Sequence, residues 1–147
     1  MTIRDATRED VPVISELRAE VWGTIDYWMN RVAKYLKARS GPMEALAERK
    51  VLVCESEGRI VGFIAGHLTT RYDCQGELQW LNVTESYTRK GIASQLLKAL
   101  MQWFMAQNAQ RICVDVEPDN EVAEKFYSKH GAVRLNEHWM IWENLTG

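Results

Sequence analysis

Residues 81–93 read LNVTESYTRKGIA and run into a segment, residues 91 to about 107, with apolar side chains at helical spacing. The stretch predicts a strand, a polar turn, a glycine and the start of a helix. A helix start leaves backbone N–H groups free and carries partial positive charge, so it binds anions. Gly91 lets the backbone approach a bulky ligand, Ala93 leaves little side chain in the way, and Ser94 supplies a hydroxyl. Arg89 and Lys90 add positive charge at the same place. All of this suits a diphosphate. It equally suits an ordinary strand–loop–helix junction with a solvated basic turn, because one glycine is a weak signal.

Toward the C-terminus, Ile92, Leu96, Leu97, Leu100, Met101 and Phe104 form the apolar face of the long helix. Residues 111–117 alternate Ile112, Val114 and Val116 against Cys113, Asp115 and Glu117, the pattern of a half-buried strand that Pro118 ends. Residues 120–130 predict a short helix stopped by Gly131, and residues 138–143 predict a closing strand. Toward the N-terminus, residues 77–83 predict a strand and residues 72–76 a polar loop. Residues 50–55 and 59–70 predict two strands of a hairpin turning at Glu57 and Gly58. Residues 43–49 predict a helical turn after a break at Ser40, Gly41 and Pro42. Residues 27–39 and 10–22 predict two helices, the second with Pro12 in its first turn, and residues 3–6 predict a first strand. The order predicts one α/β domain over residues 1–147, a mixed sheet covered by helices.

With 147 residues, the chain can bury roughly 68–70% of its unfolded surface in one core without disulfides or metal. A hydrophobic fraction of 46% and a charged fraction of 26% exclude a disordered or low-complexity protein. Lys and Arg number 18 against 20 Asp and Glu, a net charge of −2, so no nucleic-acid partner is expected. No run reaches the ~18 apolar residues of a membrane span. The opening MTIRDATRED has no apolar export core, which predicts a cytoplasmic protein. Cys54, Cys74 and Cys113 are widely spaced and read as reduced, packed thiols, with a reactive nucleophile as the other reading. No His, Cys and Asp spacing predicts a metal site.

Residues 116–132, VEPDNEVAEKFYSKHGA, make the pattern specific. With the 81–93 stretch they resemble the GNAT superfamily of acetyl-CoA-dependent N-acetyltransferases. The family's phosphate loop, Gln/Arg-x-x-Gly-x-Gly/Ala, falls on Thr88, Arg89, Lys90, Gly91, Ile92 and Ala93. Its next strand and helix, V-x-x-x-N-x-x-A-x-x-F-Y-x-x-x-G-F, match at Val116, Asn120, Ala123, Phe126, Tyr127 and Gly131. Thr88 departs from the usual Gln or Arg, with Arg89 beside it to compensate, and Ala132 replaces an aromatic. The resemblance covers essentially the whole chain. It implies a mostly antiparallel mixed sheet, flanked by helices and splayed between the fourth and fifth strands, with acetyl-CoA as acetyl-donor co-substrate in the wedge. It implies that the backbone of Leu81, Asn82 and Val83 pairs with the pantetheine arm. The amides of Arg89, Lys90, Gly91, Ile92, Ala93 and Ser94 would hold the diphosphate, and Asn120 would hydrogen-bond the arm. Tyr127 would protonate the leaving thiolate, because a tyrosine pKa of roughly 10 exceeds a thiol's ~8.5. Tyr127 also reads as a core aromatic beside Phe126, and Asn120 as a helix cap.

The resemblance further implies direct attack by a primary amine, here expected on a small molecule. That amine must lose a proton. Strict alternation would put Glu77, Gln79, Leu81 and Val83 on one strand face, with Glu77 its one ionisable group. Glu77 is nominated as the base or as the anchor of a proton-carrying water; a surface strand-end glutamate is the other reading. His67, Asp115, Glu117 and His138 are further candidates. Relatives build the acceptor pocket on the first two helices, so Trp22, Tyr27, Trp28 and Tyr72 are expected to bind substrate. Their rings could hold a cation or simply pack a core. Trp139 and Trp142 suggest either a homodimer surface or a core edge. The alternatives are a CoA-binding or partner-binding module without turnover, and a protein or peptide amine acetyltransferase.

Overall fold

The computed structural model describes residues 1–38 and 44–145. Strand β1 (Thr2–Asp5) leads to helices α1 (Val11–Ala19) and α2 (Ile25–Leu36), then to strands β2 (Ala45–Ser56), β3 (Arg59–Thr69) and β4 (Gly76–Val83). Helix α3 (Ile92–Ala106), strand β5 (Ile112–Asp115), helix α4 (Glu121–Lys129) and strands β6 (Val133–Arg134) and β7 (Trp139–Trp142) follow. The strands form one seven-stranded sheet in the order β1-β2-β3-β4-β5-β7-β6. Only β4 and β5 run parallel; every other neighbouring pair is antiparallel. This is the mixed, mostly antiparallel sheet expected.

Side chains alternate across the sheet and sort into two main cores, with a smaller cluster at Cys74, Cys113 and Ile141. Phe63 joins Ile14, Trp28, Val32 and Tyr35 under α1 and α2. Its neighbour Ile64 joins Leu96, Leu100 and Phe104 under α3. Helix α3 lies very close to the sheet at Gly76, where an added Cβ would stand 2.5 Å from Phe104 Cε1 and 2.8 Å from Ile112 Cδ1. The β2–β3 turn has Glu57 at φ 53° and Gly58 at φ 78°, the left-handed pair a tight hairpin requires.

Two expectations change. Residues 44–49 are not helical: β2 begins at Ala45, with Ala45 opposite Thr69 and Arg49 opposite His67. Pairing along β3 overrides the helix-forming composition of this stretch. The break at Ser40, Gly41 and Pro42 lies outside the described residues. Strand β6 is an addition, too short to show a periodicity. Trp142 packs edge-on to Tyr127 at 5.5 Å and donates to the His130 carbonyl, while Trp139 lies against Tyr72 at 5.5 Å. Trp142 is buried and Trp139 half-buried, so both fit the core-edge reading. Cys54, Cys74 and Cys113 are free and buried. Among the described residues no helix is long and apolar enough to cross a membrane.

The site follows from how β4 and β5 meet. They pair only at Gly76, Glu77 and Leu78, opposite Ile112, Cys113 and Val114. Beyond that point β4 continues to Val83 while β5 stops at Asp115, and the two strands part.

Candidate active site

A β-bulge shapes the mouth of this wedge. Trp80 pairs with Ala65 and Leu78 with Gly66, so Gln79 is an extra residue on β4. One extra residue shifts a period-two pattern by one position. Leu78, Leu81 and Val83 therefore face α3. Glu77, Trp80 and Asn82 face the α1–α2 side, where they meet His67, Tyr35 and Arg18. The expected sharing of one face by Glu77, Gln79, Leu81 and Val83 is corrected by this bulge.

The resulting cleft has a volume of about 720 Å³. Arg18, Trp22, Trp28 and Arg31 form one wall; Glu77, Gln79, Trp80, Leu81 and Asn82 the floor; and Asp115, Asn120, Tyr127 and Trp139 the opposite side. Gln79 Oε1 is enclosed without a hydrogen-bond partner. Such an orphaned atom at a cleft floor suits a ligand contact.

Glu77 is no surface residue: it is 3% exposed. Arg71 Nε donates to its Oε1 at 3.1 Å, and His67 Nε2 lies 3.5 Å from the same oxygen. Tyr35 Oη is 2.7 Å from His67 Nδ1. Burial pushes the Tyr35 phenol far above its ordinary pKa, so it stays protonated beside Nδ1. Asp115 lies at the other side of the cleft. Burial, with Glu117 second, raises its pKa. Glu117 in turn pairs with His138 at 2.8 Å and raises the imidazole's pKa.

Tyr127 is 7% exposed, with its ring against Phe126 and Trp142 and its side chain lining the cleft. Burial holds its phenol well above the ordinary value. Asn120 caps α4, its Oδ1 accepting from the Ala123 amide at 3.1 Å, and also lines the cleft. In the loop before α3, Arg89 and Gly91 adopt left-handed φ values of 66° and 79°. A Cβ on Gly91 would meet nothing within 4 Å, so its outer side is open to a ligand. Ser94 Oγ pairs with His130 Nε2 at 3.0 Å, and Thr88 Oγ1 donates to the Glu85 carbonyl.

Of the four aromatic residues expected at the acceptor, Trp22 and Trp28 line the cleft. Tyr27 backs them, with ring centres 5.4 and 5.0 Å away. Tyr72 instead packs on Trp139. Sequence reading missed Arg18, Arg31 and Trp80. Arg18 and Arg31 sit in helical patterns like any solvated cation. Only the tertiary fold turns both over the indoles of Trp28 and Trp80.

Residues 12–132 match the model of the acetyltransferase (GNAT) family. A curated relative, N-alpha-acetyltransferase 30 of Schizosaccharomyces pombe, is 31% identical over 72 residues, 49% of this chain and 48% of that protein. The chain thus spans about half the length of the relative it matches. The fold is shared with Ard1 from Thermoplasma volcanium at TM-score 0.77 and 21% identity, covering 99% of this chain and 98% of that one. It is also shared with PaiA N-acetyltransferase from Thermoplasma acidophilum in complex with coenzyme A, at TM-score 0.71 and 19% identity, covering 97% and 98%. A left-handed glycine loop before α3, strands that part beside it and a family match across both motifs converge: the chain belongs to the acetyltransferase (GNAT) family, whose acetyl donor is acetyl-CoA.

Proposed function

We propose that this protein transfers the acetyl group of acetyl-CoA to a primary amine of a small molecule by direct attack. The observation that carries the reading is the parting of β4 from β5 after Leu78, with Glu77, Asn120 and Tyr127 all lining the opening. The free edge of Leu81, Asn82 and Val83 suits an extended amide arm, taken up as an added strand. The N–H groups from Arg89 to Ser94 suit a diphosphate, with open space beside Gly91. Bound there, acetyl-CoA supplies an activated thioester. Glu77, directly or through a water, takes the proton of the amine. Tyr127 keeps its own proton because it is buried, and gives it to the departing sulfur.

A cleft of about 720 Å³ lies within the range typical of small-molecule sites, roughly 300–1,000 Å³. A protein N-terminal amine is the second reading, supported by the name of the fission-yeast relative. Rates of free-thiol release from acetyl-CoA over a panel of small amines and short peptides test both. Faster release with small amines is expected. Faster release with peptides overturns the small-molecule reading, and coenzyme A binding without release for any amine overturns the transferase reading.

A further inference from the structure

Arg4, Arg71 and Arg134 each hold a carboxylate of the protein. Arg18 and Arg31 do not: among the described residues no acid lies within ion-pair distance of either. Both instead face the cleft over the same two indoles. Arg18 Cζ is 4.5 Å from the Trp28 ring centre and 5.6 Å from that of Trp80; Arg31 Cζ is 5.8 and 5.6 Å away. Arg18 Nη1 donates to Asn82 Oδ1 at 3.0 Å, while its Nε is enclosed without a partner. Arg31 Nη1 donates to the Tyr27 hydroxyl at 3.3 Å. Burial and the neighbouring Arg31 together lower the Arg18 pKa to about 10. Two cations held over one aromatic floor, with no protein anion between them, form an incomplete charge arrangement. Guanidinium forks match a carboxylate in shape and charge.

The geometry points to a specificity pocket: Arg18 and Arg31 take a carboxylate of the acceptor, so the substrate is a small amine that also carries a carboxylate. The amine end of this inference rests on the transferase reading above; the anion end does not. Trp80, under the arginines, stands opposite Ala65 and Glu77 opposite His67, two steps of β3 or about 7 Å apart along the sheet. The two ends of the acceptor are therefore several bonds apart, as in an ω-amino carboxylate.

The test compares 4-aminobutyrate and 6-aminohexanoate with butylamine and hexylamine as acceptors. The wild type should prefer the carboxylates by roughly tenfold or more in kcat/KM, the effect of one or two charged hydrogen bonds. Arg18→Gln and Arg31→Gln should each reduce that preference about tenfold through the acceptor KM, with the acetyl-CoA KM held within about twofold. Arg31→Lys, which keeps the charge, should restore part of it. Equal use of alkylamines and amino carboxylates by the wild type overturns the inference. So does an equal loss on both acceptor classes in the variants. A preference for a Glu-led peptide over 6-aminohexanoate overturns the small-molecule part.

A second readout needs no turnover. Tryptophan emission of the coenzyme A-loaded protein, titrated with 6-aminohexanoate, should change in the wild type and not in Arg18→Gln, with folding checked by circular dichroism. A retained titration without acetyl transfer fails the transferase reading and supports the pocket. Transfer to alkylamines without any titration fails the pocket and supports the transferase.

Discussion

Tyr127 carries an uncommon combination for a buried tyrosine. It is 7% exposed, yet its hydroxyl makes no hydrogen bond to another described residue and opens on the cleft. Tyr127→Phe keeps the ring contacts with Phe126 and Trp142. With no internal partner lost, the melting temperature should stay unchanged. If the hydroxyl gives its proton to the leaving thiolate, turnover should fall roughly 10²–10⁴-fold, the usual contribution of a positioned acid. Acetyl-CoA affinity should be retained, since the hydroxyl acts in the transition state. Turnover and a melting curve on the same variant check this. Near-normal turnover defeats the catalytic role, and a lowered melting temperature reveals a structural partner for the hydroxyl.

At the level of elements, α3 is held to the sheet by an absence of side chain. Gly76 lies directly beneath Phe104, and ring carbons would stand 2.5 and 2.6 Å from an added Cβ. The ring cannot retreat, because Phe104 is fully buried in the α3 core. Gly76→Ala should therefore lower stability by about 1–3 kcal/mol, the usual penalty of overpacking. Denaturant unfolding measures it, and an unchanged midpoint would show that α3 can shift. Gly76 is also the first β4 residue paired with β5, so a displaced α3 disturbs the start of the wedge. The same variant should weaken coenzyme A binding. The β4 bulge belongs to this scale too. It alone brings Glu77 and Trp80 to one face, beside the α1–α2 wall.

Across the whole molecule, the two halves of the sheet are joined by three residue pairs between β4 and β5. A ligand lying between them binds the folded state alone. At about a hundred times its Kd, coenzyme A should stabilise the protein by ~2.7 kcal/mol. For a chain of this size that is a rise in Tm of roughly 5–11 °C. Gly91→Trp should lose this rise, since the indole takes the open space beside the loop. It should also lower the starting Tm, because φ is 79° there and a non-glycine residue in that region costs about 1–3 kcal/mol. Gly91→Ala carries the strain without the bulk and should keep most of the rise. A full rise in Gly91→Trp would move the diphosphate elsewhere.

Apart from the two-residue β6, the order of strands and helices, the amphipathic faces of α1 and α3 and the glycine loop before α3 are legible in residues alone. Each rests on a local periodicity or on one residue's backbone freedom, and such signals survive without neighbours. The half of the site proposed to hold the cofactor is readable for the same reason: its local shape rests on Gly91 and on the helix cap Asn120. The acceptor half is not. Residues 44–49 look helical until β3 pairs with them. Gln79 looks like one step of an alternation until Ala65 and Gly66 set a register that leaves it over. Arg18 and Arg31, thirteen positions apart in sequence, become one cationic wall only when α1 and α2 pack over Trp80. Register and helix packing are settled by contacts far apart in the chain, and no local pattern encodes them.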